Sequence, residues 1–266
     1  MRPTSERRTP VPAGIGAFGV VAVVFLVLPL IGLASRTPWA DIGELMRDPA
    51  VRDTLRLSLI ASLSALALST VLGVPLAWLL ARVDFPGRRL VRALAVLPMV
   101  LPPVVGGVAL LLAFGRRGLF GQLLFEATGW SLPFTTAGVV LAETFVAMPF
   151  LLITVESGLR SMDRRYEEAA ATLGASRWMI LRTVTLPLIA PSLGAGMALC
   201  WARALGEFGA TISFAGNLPG RTQTIPLAVY LELESNPPAA YLLSFLLLVV
   251  SIAVLVGLRD RYLGGQ

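Results

Sequence analysis

The sequence contains no histidine and no lysine, and its only cysteine is Cys200. Without histidine the chain can form no His-based metal site, catalytic triad or histidine pH switch. A single cysteine excludes a disulfide within the chain, and Cys200 is expected to be a small buried apolar residue. Without lysine there is no Walker-type phosphate loop, which ends in Gly-Lys-Ser/Thr. We therefore expect no metal, no cofactor and no catalytic residue, and any ATP hydrolysis must occur on another polypeptide.

Charged residues are also scarce. They make up 14% of the 266 residues, whereas a soluble domain carries about 25%. Apolar residues reach 56%, mean hydropathy is +0.77, and the apolar residues come in long blocks. The net charge of +6 does not indicate nucleic-acid binding, because the 22 arginines cluster between apolar blocks. The composition predicts an all-α membrane protein in contact with lipid.

Six apolar blocks are long enough to cross a bilayer, which takes about 20 residues in a helix. The predicted spans are Gly14–Ala34, Leu57–Leu80, Leu90–Phe114, Ala137–Val155, Leu186–Leu205 and Ala239–Leu258. The first block follows three arginines, as a cleaved signal peptide does. Its apolar run is longer than the usual roughly 7–15 residues, and no good small-x-small cleavage site ends it. We expect it to be retained as a span.

The arginines predict the orientation of these spans. With the N-terminus inside, the cytoplasmic segments hold fourteen arginines and the external segments hold seven. This bias places both termini in the cytoplasm. The predicted organisation is a cytoplasmic tail at 1–13, a transmembrane domain at 14–258 and a second cytoplasmic tail at 259–266.

The third span contains the proline-rich run Leu97–Gly107. Its three prolines remove backbone donors, so the helix is expected to break or kink inside the bundle. Broken helices often mark transport pathways. The alternative is a packing kink with close helix contact at Gly106 and Gly107, and the sequence does not separate the two.

The loop between the fourth and fifth spans, residues 156–185, is long but not linker-like. Asp163 can cap a helix predicted over Arg164–Leu173, whose first turns are acidic and whose centre is rich in alanine. Gly174 is a natural C-terminal stop for that helix. The loop therefore begins with a short, well-formed helix on the cytoplasmic face.

A second helix is predicted after this stop. Ser176 can cap a helix over Arg177–Thr185, which Pro187 is expected to end. The result is a helix–glycine–helix elbow, defined here as residues 163–185. Its small, flat alanine patch suits a groove on another protein.

The spacing within the elbow is Glu168-Ala169-Ala170, three residues, Gly174, nine residues, then Val184-Thr185-Leu186-Pro187. It resembles the EAA signature of binding-protein-dependent ABC importer permeases, with Val184 where isoleucine is common. The resemblance implies a type I importer-like bundle in a bacterial inner membrane. It also implies that the elbow is a coupling helix seated in a cleft of a cytoplasmic ATPase subunit. The coupling residues it implies are Glu168, Ala169, Ala170 and Gly174.

Two further stretches resemble one branch of that family. They are LPMVLPPVVGGVALLLAF at 97–114 and RALGEFGATISFAGN at 203–217. Both look like the molybdate/tungstate and sulfate/thiosulfate permeases, and they look closest to the molybdate subunits. The resemblance covers roughly residues 50–260. It implies a homodimer that moves molybdate or tungstate across the inner membrane by alternating access. A separate ATPase subunit would drive this transport, and a periplasmic oxyanion-binding protein would deliver the substrate. Sulfate or thiosulfate is the alternative substrate.

The second stretch contains the candidate translocation pathway: Arg203, Thr211, Ser213 and Asn217. Hydroxyl and amide groups are neutral donors for an oxyanion, and an intramembrane arginine is rare and often functional. Two other interpretations of Arg203 stay open, pairing with Glu207 one turn later and extension to the membrane surface. Glu143 in the fourth span is either a structural partner or an ion-coupling group.

Two other classes of protein fit the sequence less well. A secondary transporter normally shows inverted repeats and acidic or histidine relays within its spans. This chain has one intramembrane glutamate in its fourth span and no obvious repeat. An intramembrane enzyme is also disfavoured, because no nucleophile–base pair is visible.

Overall fold

The computed structural model describes residues 13–258, and this part of the chain is built from helices and turns. The predicted tails lie outside the described residues, except for Ala13, which begins the first helix. The helices are α1 Ala13–Arg36, α2 Ile42–Leu45, α3 Pro49–Arg82, α4 Arg88–Val96, α5 Pro103–Phe114, α6 Gly121–Thr128, α7 Thr136–Ser161, α8 Arg165–Thr172, α9 Arg177–Ile180, α10 Leu186–Leu205, α11 Gly209–Phe214, α12 Ile225–Ser235 and α13 Pro237–Leu258.

The core lies where α3, α7 and α10 pack together. Small residues allow this packing, because without a hydrophobic driving force in lipid, helices associate through close backbone approach. The buried face of α3 carries serine, alanine and glycine at helical spacing, including Ser62, Ala65 and Gly73. On α7, a Cβ added at Gly158 would lie 2.5 Å from Ser192 Cβ of α10. The indole N–H of Trp201 donates to Ser62 Oγ at 3.0 Å and joins α10 to α3.

Five helices within residues 13–258 are long and apolar enough to cross a membrane. They correspond to five of the six predicted spans, at Gly14–Arg36, Pro49–Arg82, Thr136–Ser161, Arg177–Leu205 and Pro237–Val254. The predicted third span is instead a pair of helices, Arg88–Met99 and Pro103–Phe114, which meet at 117°. Counting the pair as one span gives six.

The predicted break in the third span is confirmed, but its position in the bundle interior is not. Val100, at the break, is 81% exposed in the single chain. The two glycines after the break are buried against other helices. A Cβ at Gly106 would lie 3.1 Å from the Phe145 ring, and one at Gly107 would lie 2.6 Å from Ser213 Cβ. The close contact expected of a packing kink is therefore present.

The predicted second helix of the elbow extends further than expected. Residues Leu181–Thr185 form a π-helical turn that leads directly into α10, so the chain is helical from Arg177 to Leu205. The prediction that Pro187 ends the helix is wrong. Pro187 lies inside this continuous helix directly after the π turn, and the wider turn accommodates its ring and its missing N–H.

Candidate functional site

The first helix of the elbow, α8, matches its prediction within one residue at each end. Asp163 Oδ1 accepts a hydrogen bond from the Arg165 N–H at 3.0 Å, as expected of a residue at a helix start. The stop is a Schellman motif, in which the Ala175 N–H donates to Ala170 O and the Gly174 N–H donates to Ala171 O. Gly174 has φ +83, and no atom lies within 4 Å of an added Cβ. It is therefore required for its left-handed backbone and not for close approach.

The second helix of the elbow begins as predicted. Ser176 Oγ accepts a hydrogen bond from the Met179 N–H at 3.3 Å. From there the continuous helix Arg177–Leu205 has 29 residues, which gives a length of about 43 Å at 1.5 Å per residue. One continuous helix thus connects the elbow to the opposite end of the bundle.

The elbow is attached to the bundle through Glu167, which the sequence did not single out. Its Oε2 lies 3.3 Å from Arg82 Nη2 at the end of α3. Its Oε1 accepts a hydrogen bond from Thr185 Oγ1 at 2.6 Å. These contacts join α8, α3 and the π turn, and no spacing in the sequence indicates them, because the partners lie 85 and 18 residues away.

A second polar cluster lies at the same end of the bundle. Glu156, buried near the end of α7, accepts from Arg92 Nη2 at 2.5 Å and from Arg160 Nη2 at 2.9 Å. Arg160 Nη2 also donates to the Leu80 carbonyl at 3.3 Å. The cluster fixes α4 and α3 against α7, and it was likewise missed.

The elbow exposes large apolar side chains among its charged residues. Four large side chains are exposed on it, and Leu173 is 88% exposed. The four are Tyr166, Leu173, Trp178 and Met179. Three of the predicted coupling residues, Glu168, Ala169 and Gly174, are exposed on the same elbow, and Ala170 is half-buried. Several large exposed apolar side chains on one short segment favour a role as an interaction surface, which stays a prediction.

At the other end of α10, Arg203 Nη2 lies 2.5 Å from Glu207 Oε2. The Glu207 side chain is 1% exposed and the Arg203 side chain 26%. Glu207 Oε1 also accepts from the Ala210 N–H at 2.7 Å. The structure thus shows the alternative foreseen for Arg203, a pair with Glu207. A direct role of Arg203 in transport stays a prediction.

The other predicted pathway residues follow in and after α11, near this ion pair in sequence. Thr211 is fully buried. Ser213 Oγ donates to Gly209 O at 2.9 Å, and Asn217 Nδ2 donates to Leu227 O at 3.3 Å. In the single chain the Ser213 and Asn217 donors therefore serve the fold of α11 and α12, whereas Thr211 Oγ1 contacts no hydrogen-bonding partner within the described residues. Their role as a pathway also stays a prediction.

The structure does not bring the two predicted groups of residues together. Leu186, beside the elbow, and Arg203 are 17 positions apart on α10, or about 25 Å. On α7, at the Arg203 end, Glu143 is buried close to Glu207, and its Oε2 contacts no hydrogen-bonding partner within the described residues. Any action of the elbow on the Arg203 end must therefore pass along the helices.

These features define a membrane-spanning subunit with an exposed helical elbow at one end. Residues 73–263 match the family described as binding-protein-dependent transport system inner membrane component. The chain belongs to this family.

Individual relatives and structures agree with that assignment. The chain is 45% identical over 253 residues to the molybdenum transport system permease protein ModB of Mycobacterium tuberculosis, covering 95% of this chain and 96% of the relative. It is 36% identical over 249 residues to the sulfate transport system permease protein CysT of Salmonella typhimurium, covering 92% and 90%. Its fold resembles a solved bacterial ABC transporter involved in the import of the acidic polysaccharide alginate. That match has a TM-score of 0.72 and 17% identity, covering 95% of this chain and 96% of the other. The predicted all-α, type I ABC importer-like fold class is confirmed.

Proposed function

We propose that this chain is the membrane subunit of a binding-protein-dependent ABC importer for molybdate or tungstate. The observation that carries the proposal is the 45% identity to a molybdenum permease over nearly the full length of both chains. The sulfate permease relative, at 36% identity over a similar length, supports sulfate as the second candidate. Molybdate, tungstate and sulfate are all tetrahedral dianions, so a related site can serve each.

In this proposal the elbow is the contact with a separate ATPase subunit. Its Schellman stop and the Glu167 attachment fix its shape, while its exposed apolar side chains supply the contact area. A periplasmic binding protein delivers the anion on the other side of the membrane. Two copies of the chain enclose one passage, since a closed two-fold arrangement is the commonest for a repeated subunit.

The mechanism follows from the continuous helix Arg177–Leu205. When ATP closes the ATPase subunits, the elbow moves with them. Because α9, the π turn and α10 form one helix, that motion reaches Arg203 without an intervening hinge loop. The bundle then alternates between inward- and outward-facing states, and ATP hydrolysis resets it. Arg203, Thr211, Ser213 and Asn217 are proposed to face the anion in one of these states.

Substrate identity can be tested by deleting the gene. We expect loss of molybdoenzyme activity, restored by high external molybdate. A strain that instead becomes a sulfur auxotroph with normal molybdoenzyme activity would establish the sulfate candidate and exclude the molybdate one.

The orientation is also a proposal, supported by the arginine distribution. Single cysteines placed at Gly174 and Asn217, in a Cys200→Ala background, can be labelled with an impermeant reagent in intact cells. Labelling is expected at position 217 and not at 174. Labelling of position 174 from the outside contradicts both the orientation and the ATPase contact.

A further inference from the structure

A cavity of about 510 Å³ lies at the elbow end of the bundle, between the α3–α4 turn and the end of α7. Four arginines and one carboxylate contribute to its lining: Arg88, Arg89, Arg92, Arg160 and Asp84. None of the elbow residues contributes, so the cavity is distinct from the surface proposed to contact the ATPase.

The charges around this cavity are not balanced. Arg88 pairs with Asp84, and Arg92 and Arg160 share Glu156. Arg89 takes part in no ion pair with the described residues. Four guanidinium groups thus face two carboxylates, which leaves about two positive charges. Arg92 and Arg160 each donate to Glu156 through Nε and Nη2. The Nη1 group of each arginine takes no part in these contacts.

The start of α4 adds to the positive potential of the cavity. Its N-cap residue is Gly87, which has φ +84 and contributes no side-chain cap. Gly87 and Arg88 both line the cavity. Uncapped N–H groups and the helix dipole favour an anion at a helix N-terminus. The arginine cluster and the helix start therefore favour the same ligand.

The pattern of α4 favours a position of the cavity where membrane and water meet. On α4, Leu90 and Leu94 are 63% and 57% exposed, and their helical positions are opposite those of Arg88 and Arg92. This division of charged and apolar positions favours a membrane interface at the start of α4, with the apolar side toward lipid. The preceding α3 ends at Arg82, which contacts the elbow, so the cavity and the elbow are on the same side.

We propose that this cavity binds a phosphate group or a similar tetrahedral oxyanion. Guanidinium groups bind such anions through paired N–H donors, and the unbalanced charge matches one or two negative charges. At an interface the group can belong to an anionic phospholipid or to a dissolved ion. Basic pockets between helices at this depth bind phospholipid headgroups in other membrane proteins. The inference does not depend on which substrate is transported.

The test uses the full-length protein in a non-ionic detergent. Its thermal unfolding is titrated separately with inorganic phosphate, phosphatidylglycerol and phosphatidylcholine. We expect phosphate or phosphatidylglycerol to raise the melting temperature, and phosphatidylcholine, which has no net charge, to have little effect. Stabilisation by phosphatidylglycerol alone identifies a lipid headgroup site. Stabilisation by phosphate without lipid identifies a site for a free anion.

The critical variant is Arg89→Gln, because it removes a lining charge without breaking an ion pair within the described residues. Binding of the stabilising ligand should weaken about five-fold, as expected for one arginine near a membrane surface. The matched control is Arg117→Gln, an exposed arginine outside the cavity, which should bind like the unaltered protein. The proposal is overturned if neither ligand stabilises the protein, or if Arg89→Gln and Arg117→Gln bind equally well.

Discussion

The two ends of the bundle formed by α3, α7 and α10 use arginine and glutamate in different ways. At the elbow end, Glu156 and Glu167 bind arginines and a threonine from separate helices, while large apolar side chains remain exposed. At the other end, Glu207 is enclosed within one short segment, pairing with Arg203 and capping the start of α11. The polar contacts of the elbow end thus join separate helices beside exposed apolar side chains, whereas the ion pair of the Arg203 end is formed within one segment.

The largest effect is expected from Glu207→Ala. Removing one member of a buried pair leaves the other charge unpaired, which costs about 3 kcal/mol at the lower end of the usual range, since Arg203 is partly exposed. Thermal unfolding in detergent measures the loss, and the exposed Glu234→Ala is the control. If both variants melt alike, the Arg203 end is not held by this pair.

The next largest effect is expected from Gly107→Val, which tests the contact between α5 and α11. In Gly107→Val the new side chain would meet Ser213 Cβ and the Ala210 carbonyl, both under 3 Å from the added Cβ. Overpacking of this kind costs about 1–3 kcal/mol. Gly32→Val on α1, where no atom lies within 4 Å, is the matched control. Equal melting temperatures would mean that α5 and α11 do not pack as described.

A comparison of neighbouring residues tests how the elbow is attached. Glu167→Gln weakens the Arg82 pair and is expected to cost about 1 kcal/mol locally, since the carboxylate is partly exposed. Hydrogen exchange of α8 should therefore be faster. The exposed Glu168→Gln should exchange like the unaltered protein. Faster exchange in Glu168→Gln alone would mean that Glu168, and not Glu167, attaches α8 to the bundle.

An equally small effect on stability is expected from Gly174→Ala. Its φ of +83 makes any Cβ unfavourable, by about 1 kcal/mol. Gly129 has φ +72 and equally open surroundings, so Gly129→Ala should lose the same stability. Transport separates the two, because only Gly174 lies in the elbow. Equal uptake by both variants contradicts a role for the shape of the elbow.

Much of this architecture could be predicted because it depends on local patterns. Apolar blocks predict spans, and Ser176, Gly174 and the proline run predict a cap, a stop and a break. The attachments could not be predicted, because Glu167–Arg82 and Glu156–Arg92 join residues far apart in sequence. The predicted helix end at Pro187 is wrong because the π turn before it accommodates the proline, so the helix continues into α10. The substrate assignment depends on resemblance, since neutral donors alone do not distinguish one oxyanion from another.

The most direct test of the account is whether the elbow binds the ATPase subunit. In Ala169→Trp a large ring replaces an exposed alanine on α8, and it should exclude the elbow from a fitted cleft. Ala127→Trp, an exposed alanine on α6, is the matched control. Co-purification with the ATPase subunit and molybdate uptake should both be lost in Ala169→Trp and kept in Ala127→Trp. Normal co-purification and normal uptake in Ala169→Trp would contradict the coupling role of the elbow.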